Sequence, residues 1–239
     1  MITVDSFKNK KIMIVAAHPD DELLGLGATM HKLIHGFAVE THVVILGEGI
    51  TSRADERDTA EWEKELAIHR KNIREAQQCI GYHSVNTYDF PDNRFDSVAL
   101  LDLVKTIEKE KSSFKPDVIF THHGGDLNID HQRTFEAVMT ACRPMKGEMV
   151  KTIITFETPS STEWASVTDS NLFRPNIFMN VSDDHLDAKI NGMEKYQFEK
   201  RAHPHPRSPK ALKIRAQQWG TSIGCEYAEA FCLIRTIIG

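Results

Sequence analysis

The chain has 239 residues, 41% of them apolar and 26% charged, which is enough for a sizeable core and argues against intrinsic disorder. Its 29 basic and 34 acidic side chains leave a formal charge of −5, which disfavours a generally basic nucleic-acid binder. The four cysteines form no Cys-x-x-Cys pair, the longest apolar runs are too short to span a bilayer, and the first residues lack a signal peptide's order. The expectation is a cytoplasmic protein with reduced thiols, without nucleic-acid or membrane partners. Twelve histidines stand out, because histidine ligates metals and moves protons near neutral pH.

Residues 11–17, Lys-Ile-Met-Ile-Val-Ala-Ala, form a short continuous apolar run that suits a strand buried on both faces. A turn follows, then a helix over residues 22–35 stopped by Gly36, and a second strand over 39–46. Residues 55–80 read as one long helix, acidic at its start, basic later and capped by Gly81. Further along, strands are predicted at 86–90, 117–121, 152–156, 177–181 and 231–237, with helices at 98–111, 132–142, 183–200 and 209–219. Strands alternating with helices imply a single α/β domain over residues 1–239, with a mostly parallel sheet and helices on both faces. Such sheets bind ligands outside the carboxyl ends of their strands, which singles out the loops after Ala17, Leu46, Phe90 and Thr121.

The first of these loops reads His18-Pro19-Asp20-Asp21-Glu22. One acid would suffice to cap the following helix, whereas three acids beside a histidine repel one another unless a cation or a proton intervenes. The loop after the fourth strand reads His122-His123-Gly124-Gly125-Asp126-Leu127-Asn128-Ile129-Asp130-His131. If the two loops face one another, His18, one of Asp20 and Asp21, and His131 supply three N/O ligands, the number found at catalytic zinc sites with an open position. Ligation by nitrogen and oxygen alone also suits other divalent metals.

The segment Ala17-His-Pro-Asp-Asp-Glu22, followed much later by Asp130-His131, resembles the PIG-L/LmbE-like zinc-dependent deacetylases, which remove acetyl groups from N-acetylated amino sugars and related compounds. The likeness extends thinly to Arg53, to the Phe90-Pro91-Asp92 turn, to Ser208-Pro209 and to Tyr227-Ala-Glu-Ala-Phe231. It implies a Rossmann-like fold, a homo-oligomer, Zn2+ held by His18, Asp21 and His131, Asp20 as general base, Asp130 orienting a neighbour, and Arg53 positioning the base or the substrate. Many members carry a histidine three positions before the ligand histidine; this chain has Asn128 there. An amide can donate a hydrogen bond to an oxyanion but supplies no proton. Either Asp20 moves protons alone or His122, His123 or His205 helps.

Other features have plainer explanations. His31-Lys-Leu-Ile-His35 has the spacing of a metalloprotease helix, but Lys32 stands where the glutamate base belongs. Gly25-Leu-Gly27 lacks the third glycine of a dinucleotide fingerprint and follows an acid-rich turn that would repel a pyrophosphate. No Gly-x-Ser-x-Gly elbow occurs. Of Trp62, Trp164 and Trp219, Trp164 is the one expected to be exposed, in a Ser/Thr-rich segment. Between Lys195 and Arg215 there are seven Lys/Arg and one acid, Glu199. That stretch is either a solvated face or a pocket wall that selects an anionic substrate through residues such as Arg207. The leading expectation is a metal-dependent amidohydrolase acting on a small N-acetylated amino sugar. The alternatives are an amidase for another small amide or thiol conjugate, and a metal-holding sugar binder without turnover.

Overall fold

In a computed structural model, residues 3–166 and 172–238 are described; the end of the Ser/Thr-rich stretch after Trp164 lies outside them. In chain order the elements are β1 (Lys11–Ala16), α1 (Asp21–Phe37), β2 (Glu40–Gly47), α2 (Glu63–Ile80), β3 (Ser84–Phe90), α3 (Leu100–Phe114), β4 (Val118–His122), α4 (Ile129–Ala141), β5 (Thr152–Phe156), β6 (Ile177–Val181), α5 (Asp183–Met193), α6 (Pro209–Ser222) and β7 (Tyr227–Thr236). The strands form one sheet in the order β3-β2-β1-β4-β5-β7-β6. The first five run parallel, and β7 lies antiparallel between β5 and β6.

The alternation along β1 shows why its apolar run is unbroken. Ile12 and Ile14 face a core completed by Leu23, Met30, Ile73, Leu186 and Leu212, from α1, α2, α5 and α6. Met13 and Val15 face the opposite core, with Leu103, Ile107, Ala137 and Val138 from α3 and α4. A strand covered on both faces has no solvent side on which to place polar residues. In the sheet β1 lies between β2 and β4, so the chain leaves β1 and β4 at a topological switch point. The loops carrying His18 and His131 are therefore neighbours.

Several boundaries differ from expectation. Helix α1 passes through Gly36 and ends at Phe37, followed by Ala38 in the left-handed region at φ 50°. Helix α2 starts at Glu63, not residue 55: the acidic segment before it has no apolar stripe, Asp58 Oδ1 accepts the amides of Ala60 and Glu61, and Arg57 reaches Glu48. Gly81 caps α2 as expected, at φ 88°. Helix α4 begins at Ile129, three residues early, because Asn128 caps it by accepting the Asp130 amide at 2.8 Å. That places Asp130 and His131 on the first helical turn.

Candidate functional site

The turn after β1 is built from its own polar groups. The Ala17 amide donates to His122 Nε2 at 2.9 Å, and the His18 amide donates to Asp21 Oδ2 at 2.8 Å. The Asp20 amide donates to Glu22 Oε2 at 3.0 Å, while Tyr196 Oη donates to the other Glu22 oxygen at 2.6 Å. Burial raises Glu22 to about 7, with the Tyr196 bond opposing. Glu22 thus turns back to hold the loop. Asp20 sits at the N-cap position of α1 with φ 105°, a left-handed conformation costing about 1–2 kcal/mol for a residue with a Cβ. Its carbonyl accepts the Leu23 and Leu24 amides, yet its side chain makes no capping bond. The simple capping role therefore does not describe the Asp20 carboxylate, which is turned elsewhere. At the end of β2, a side chain on Gly47 would lie 2.8 Å from the Ala17 carbonyl oxygen, so glycine there allows the two strand ends to close.

His18, Asp21 and His131 come together, each offering a ligand atom within 4.8 Å of the others. Asp21 Oδ2 lies 3.4 Å from His18 Nδ1 and 3.3 Å from His131 Nε2. The outer nitrogen of each histidine meets a carboxylate: His18 Nε2 is 2.9 Å from Asp130 Oδ2, and His131 Nδ1 is 3.0 Å from Asp126 Oδ1. Outer carboxylates of this kind fix the tautomer and orientation of ligand histidines in metal sites. Asp130 is itself oriented by the Phe95 amide at 2.8 Å, and Asp126 by Thr162 Oγ1 at 2.5 Å and by Ser161. A second convergent group shares His18, with Asp92 and Asp130 at its Nε2 side.

The electrostatics point the same way. Burial works against charge on both histidines, yet Asp130 and Asp21 raise His18 well above its usual range. Asp21 and Asp126 raise His131 to about 9. Burial raises the Asp21 carboxyl, but the imidazoles of His131 and His122 outweigh it and hold it well below the usual range. Two imidazoles among several buried carboxylates make a site that favours positive charge, whether a proton or a metal ion. Two nitrogens and one carboxylate oxygen fit zinc and similar divalent ions.

Asp20 is 1% exposed, and burial raises its carboxyl well above the usual range against the pull of Arg207. Arg207 Nη1 donates to Asp20 Oδ2 at 3.0 Å and to Glu199 Oε2 at 2.8 Å. The other Glu199 oxygen accepts from Arg53 Nη2 at 2.5 Å. Arg53 also reaches the Phe198 carbonyl but not Asp20, so the arginine in contact with the expected base is Arg207.

Beside this constellation lies a cavity of about 280 Å3, walled by His18, Ser52, Arg53, Asp92, Asn93, Asn128, Trp164, Glu199, Arg201, His205 and Arg207 among others. Asn128 Nδ2 donates to Asn93 Oδ1 at 2.8 Å at its edge. Of the three spare histidines, only His205 lines the cavity. His122 is fully buried, stacked on His131 with centroids 3.9 Å apart, and depressed to about 4 by burial and by His131. With its Nε2 accepting from Ala17, His122 is a structural residue. His123 packs edge-on against Phe173. Arg201, His205 and Arg207 of the basic stretch do form wall, whereas Lys213 pairs with Asp183 and Arg215 with Glu157. Trp164 is 53% exposed and meets His205 edge-on.

The remaining motifs resolve structurally. A side chain on Gly25 would fall 2.2 Å from the Phe156 ring, so this glycine lets α1 lie against the sheet. His31 and His35 meet with tilted rings, centroids 4.4 Å apart, on α1, roughly 15 and 21 Å along the helix from Asp21 at 1.5 Å per residue, and belong to neither convergent group among the described residues. Asp126, Glu199 and Arg207's grip on Asp20 were not expected from sequence.

Comparison with known proteins gives the family and the fold. Residues 13–142, more than half of the chain, match the family described as PIG-L: GlcNAc-PI de-N-acetylase. The chain is 28% identical over 196 residues to an uncharacterized deacetylase, YaiS, of Escherichia coli K12, covering 80% of this chain and 92% of that protein. It is 24% identical over 229 residues to a diacetylchitobiose deacetylase of Thermococcus kodakarensis, covering 92% and 81% respectively. The fold matches the zinc-inhibited form of the teicoplanin deacetylase Orf2 with a TM-score of 0.75 at 16% identity, over 96% of this chain and 100% of that one.

Proposed function

This chain belongs to the PIG-L family of GlcNAc-PI de-N-acetylases, and on that premise we propose that it is a metal-dependent amidohydrolase that removes the acetyl group from a small N-acetylated amino sugar. The observation that carries this reading is the meeting of His18, Asp21 and His131, from two loops at the carboxyl ends of β1 and β4, with a carboxylate behind each imidazole. Those three residues would hold the metal, zinc in our assignment. Bound there, a divalent ion polarises a carbonyl and lowers the pKa of a water toward ~7.

The protein's own groups supply the rest. Asp20 takes one proton from the attacking water and returns it to the departing amine nitrogen, so water and amide become acetic acid and free amine. Its burial supports this role, because a carboxyl with raised proton affinity works better near neutral pH. To the Asn128 side-chain amide, which lines the cavity, we assign a hydrogen bond to the developing oxyanion. Of the three spare histidines, we assign any assistance in proton transfer to His205, because it lines the cavity. The cavity lies at the small end of ligand sites, ~300–1,000 Å3, and its polar wall with one exposed tryptophan suits a single sugar unit. Arg53 and Arg207 are matched by Glu199 and Asp20, whereas among the described residues Arg201 donates to the Phe198 and Lys200 carbonyls and to no carboxylate. An anionic group on the substrate would therefore be read by Arg201. We keep the proposal of a cytoplasmic, single-domain protein over residues 1–239; no helix among the described residues is long and apolar enough to cross a membrane.

The test couples metal analysis of the purified protein with a panel of N-acetyl sugars, scored for free amine. Stoichiometric metal and amine release that stops on chelation are expected. His18→Ala and His131→Ala should lose the metal, and Asp20→Asn should keep it while losing roughly 10²- to 10⁴-fold in rate. Full metal in both histidine variants would overturn the ligand assignment; bound metal with no amine from any sugar or other amide would make the protein a binder.

A further inference from the structure

The side chain that contacts Asp20 comes from 187 positions along the chain. Arg207 is fixed at three points: Nε donates to Ser160 Oγ at 2.8 Å, and Nη1 donates to Glu199 at 2.8 Å and to Asp20 at 3.0 Å. Its backbone is anchored as well. The Arg207 amide donates to His205 Nδ1 at 3.2 Å, and the next residue, Ser208, caps α6 with Pro209 at the first helical position. Glu199 is shared between Arg207 and Arg53, which joins the loop after β2 to the segments after α5.

We infer that Arg207 is the positioning residue that aims the Asp20 carboxylate, with Glu199 holding Arg207 in register by tying it to Arg53. The Asp20 side chain makes no bond to its own helix, so nothing local sets its direction. Arg207 has five N–H donors, and three are already committed, both on Nη1 and the one on Nε. Only the Nη2 hydrogens remain, which leaves no free fork for bidentate binding of a phosphate or carboxylate on the substrate. A role through Asp20 thus fits the geometry better than anion selection by Arg207. The inference rests on Asp20 being the base.

The experiment is a double-mutant cycle on the metal-loaded enzyme: wild type, Asp20→Asn, Arg207→Ala and the pair. Arg207→Ala should lower kcat about 10- to 100-fold, as misaligned catalytic groups do, with KM within about threefold and metal content unchanged. Added guanidinium ion should restore part of the loss. In the Asp20→Asn background the same change should cost less than about threefold. Losses that multiply instead, or a loss carried by KM, would overturn the positioning role while leaving the deacetylase reading intact. No amine release from the wild type would overturn both. If Arg207→Ala does not fold, Arg207→Lys, which keeps the charge but not the three-point geometry, takes its place in the cycle with the same expectations.

Discussion

Asp126 shows how much of the proposed metal site lies outside the residues that would hold the ion. Its carboxylate faces His131 Nδ1 at 3.0 Å and accepts from Thr162, from Ser161 and from the Asn128 amide. Burial opposes its ionisation, but His131 and the two hydroxyls keep it far below the usual range. Asp126 sets a carboxylate against His131 Nδ1 while Nε2 lies 3.3 Å from Asp21. Asp126→Asn should therefore weaken metal binding by about 10- to 100-fold, the usual cost of losing such a partner. Competition against a chelator of known affinity measures this; unchanged affinity would show that His131 is oriented by something else. The convergence of His18, Asp21 and His131 is legible in the sequence, because they sit in loops fixed by flanking apolar strands. Asp126 is not, since its selection depends on Ser161 and Thr162, which arrive from the loop after β5.

Helix α1 is broken, and the break is filled by two other elements. Leu26 has a non-helical φ of −151°. The amides of Ala28 and Thr29 donate to the Glu229 carboxylate of β7, and the Leu24 carbonyl accepts from Lys189 Nζ of α5 at 2.8 Å. Lys189 and Glu229 also pair with each other at 2.6 Å, both nearly sealed from solvent. A kink of this kind needs its freed backbone groups satisfied, and here a buried ion pair does so. Removing one partner strands the other, so Lys189→Met should destabilise the fold by about 3–5 kcal/mol, read from urea denaturation. A change below ~1 kcal/mol would mean that Glu229 finds its partners without the lysine. At this scale the sequence was informative about element type and weaker about ends. The strands over 152–156 and 177–181 match, because tight apolar runs bounded by polar residues leave little latitude. The start of α2 was misjudged because acidic residues suit both a helix's first turn and the loop that Arg57 and Asp58 fold instead. The direction of β7 was hidden too, since antiparallel pairing with β5 is decided by the path of α6 and not by local pattern.

The whole molecule gathers the site from the carboxyl ends of β1 to β5 and from the chain after α5, then seals parts of it with groups that must stay uncharged. The parallel order made the first set predictable, while the wall contributed by Glu199, His205 and Arg207 required the tertiary return of the chain. His69 of α2 illustrates the seal. It is 1% exposed beneath Gly49, between the rings of Tyr196 and Phe198, and neither ring nitrogen has a hydrogen-bond partner. Burial lowers it to about 4, with Glu199 and Asp92 opposing and Arg53 and His18 assisting. The folded state therefore binds fewer protons than the unfolded chain between pH ~6.5 and ~4, so stability rises with pH across that window. The contribution is fully present above about pH 6.5 and is lost as pH falls toward 4, to a total of about 3 kcal/mol. His69→Phe should remove this dependence: between pH 7 and 4.5 the wild type should lose roughly 2–3 kcal/mol more stability than the variant, whatever the offset between them at neutral pH. Comparing slopes cancels the titrations common to both proteins, including those of the metal site. Parallel stability curves would show that His69 takes up its proton as readily in the folded protein as in the unfolded chain.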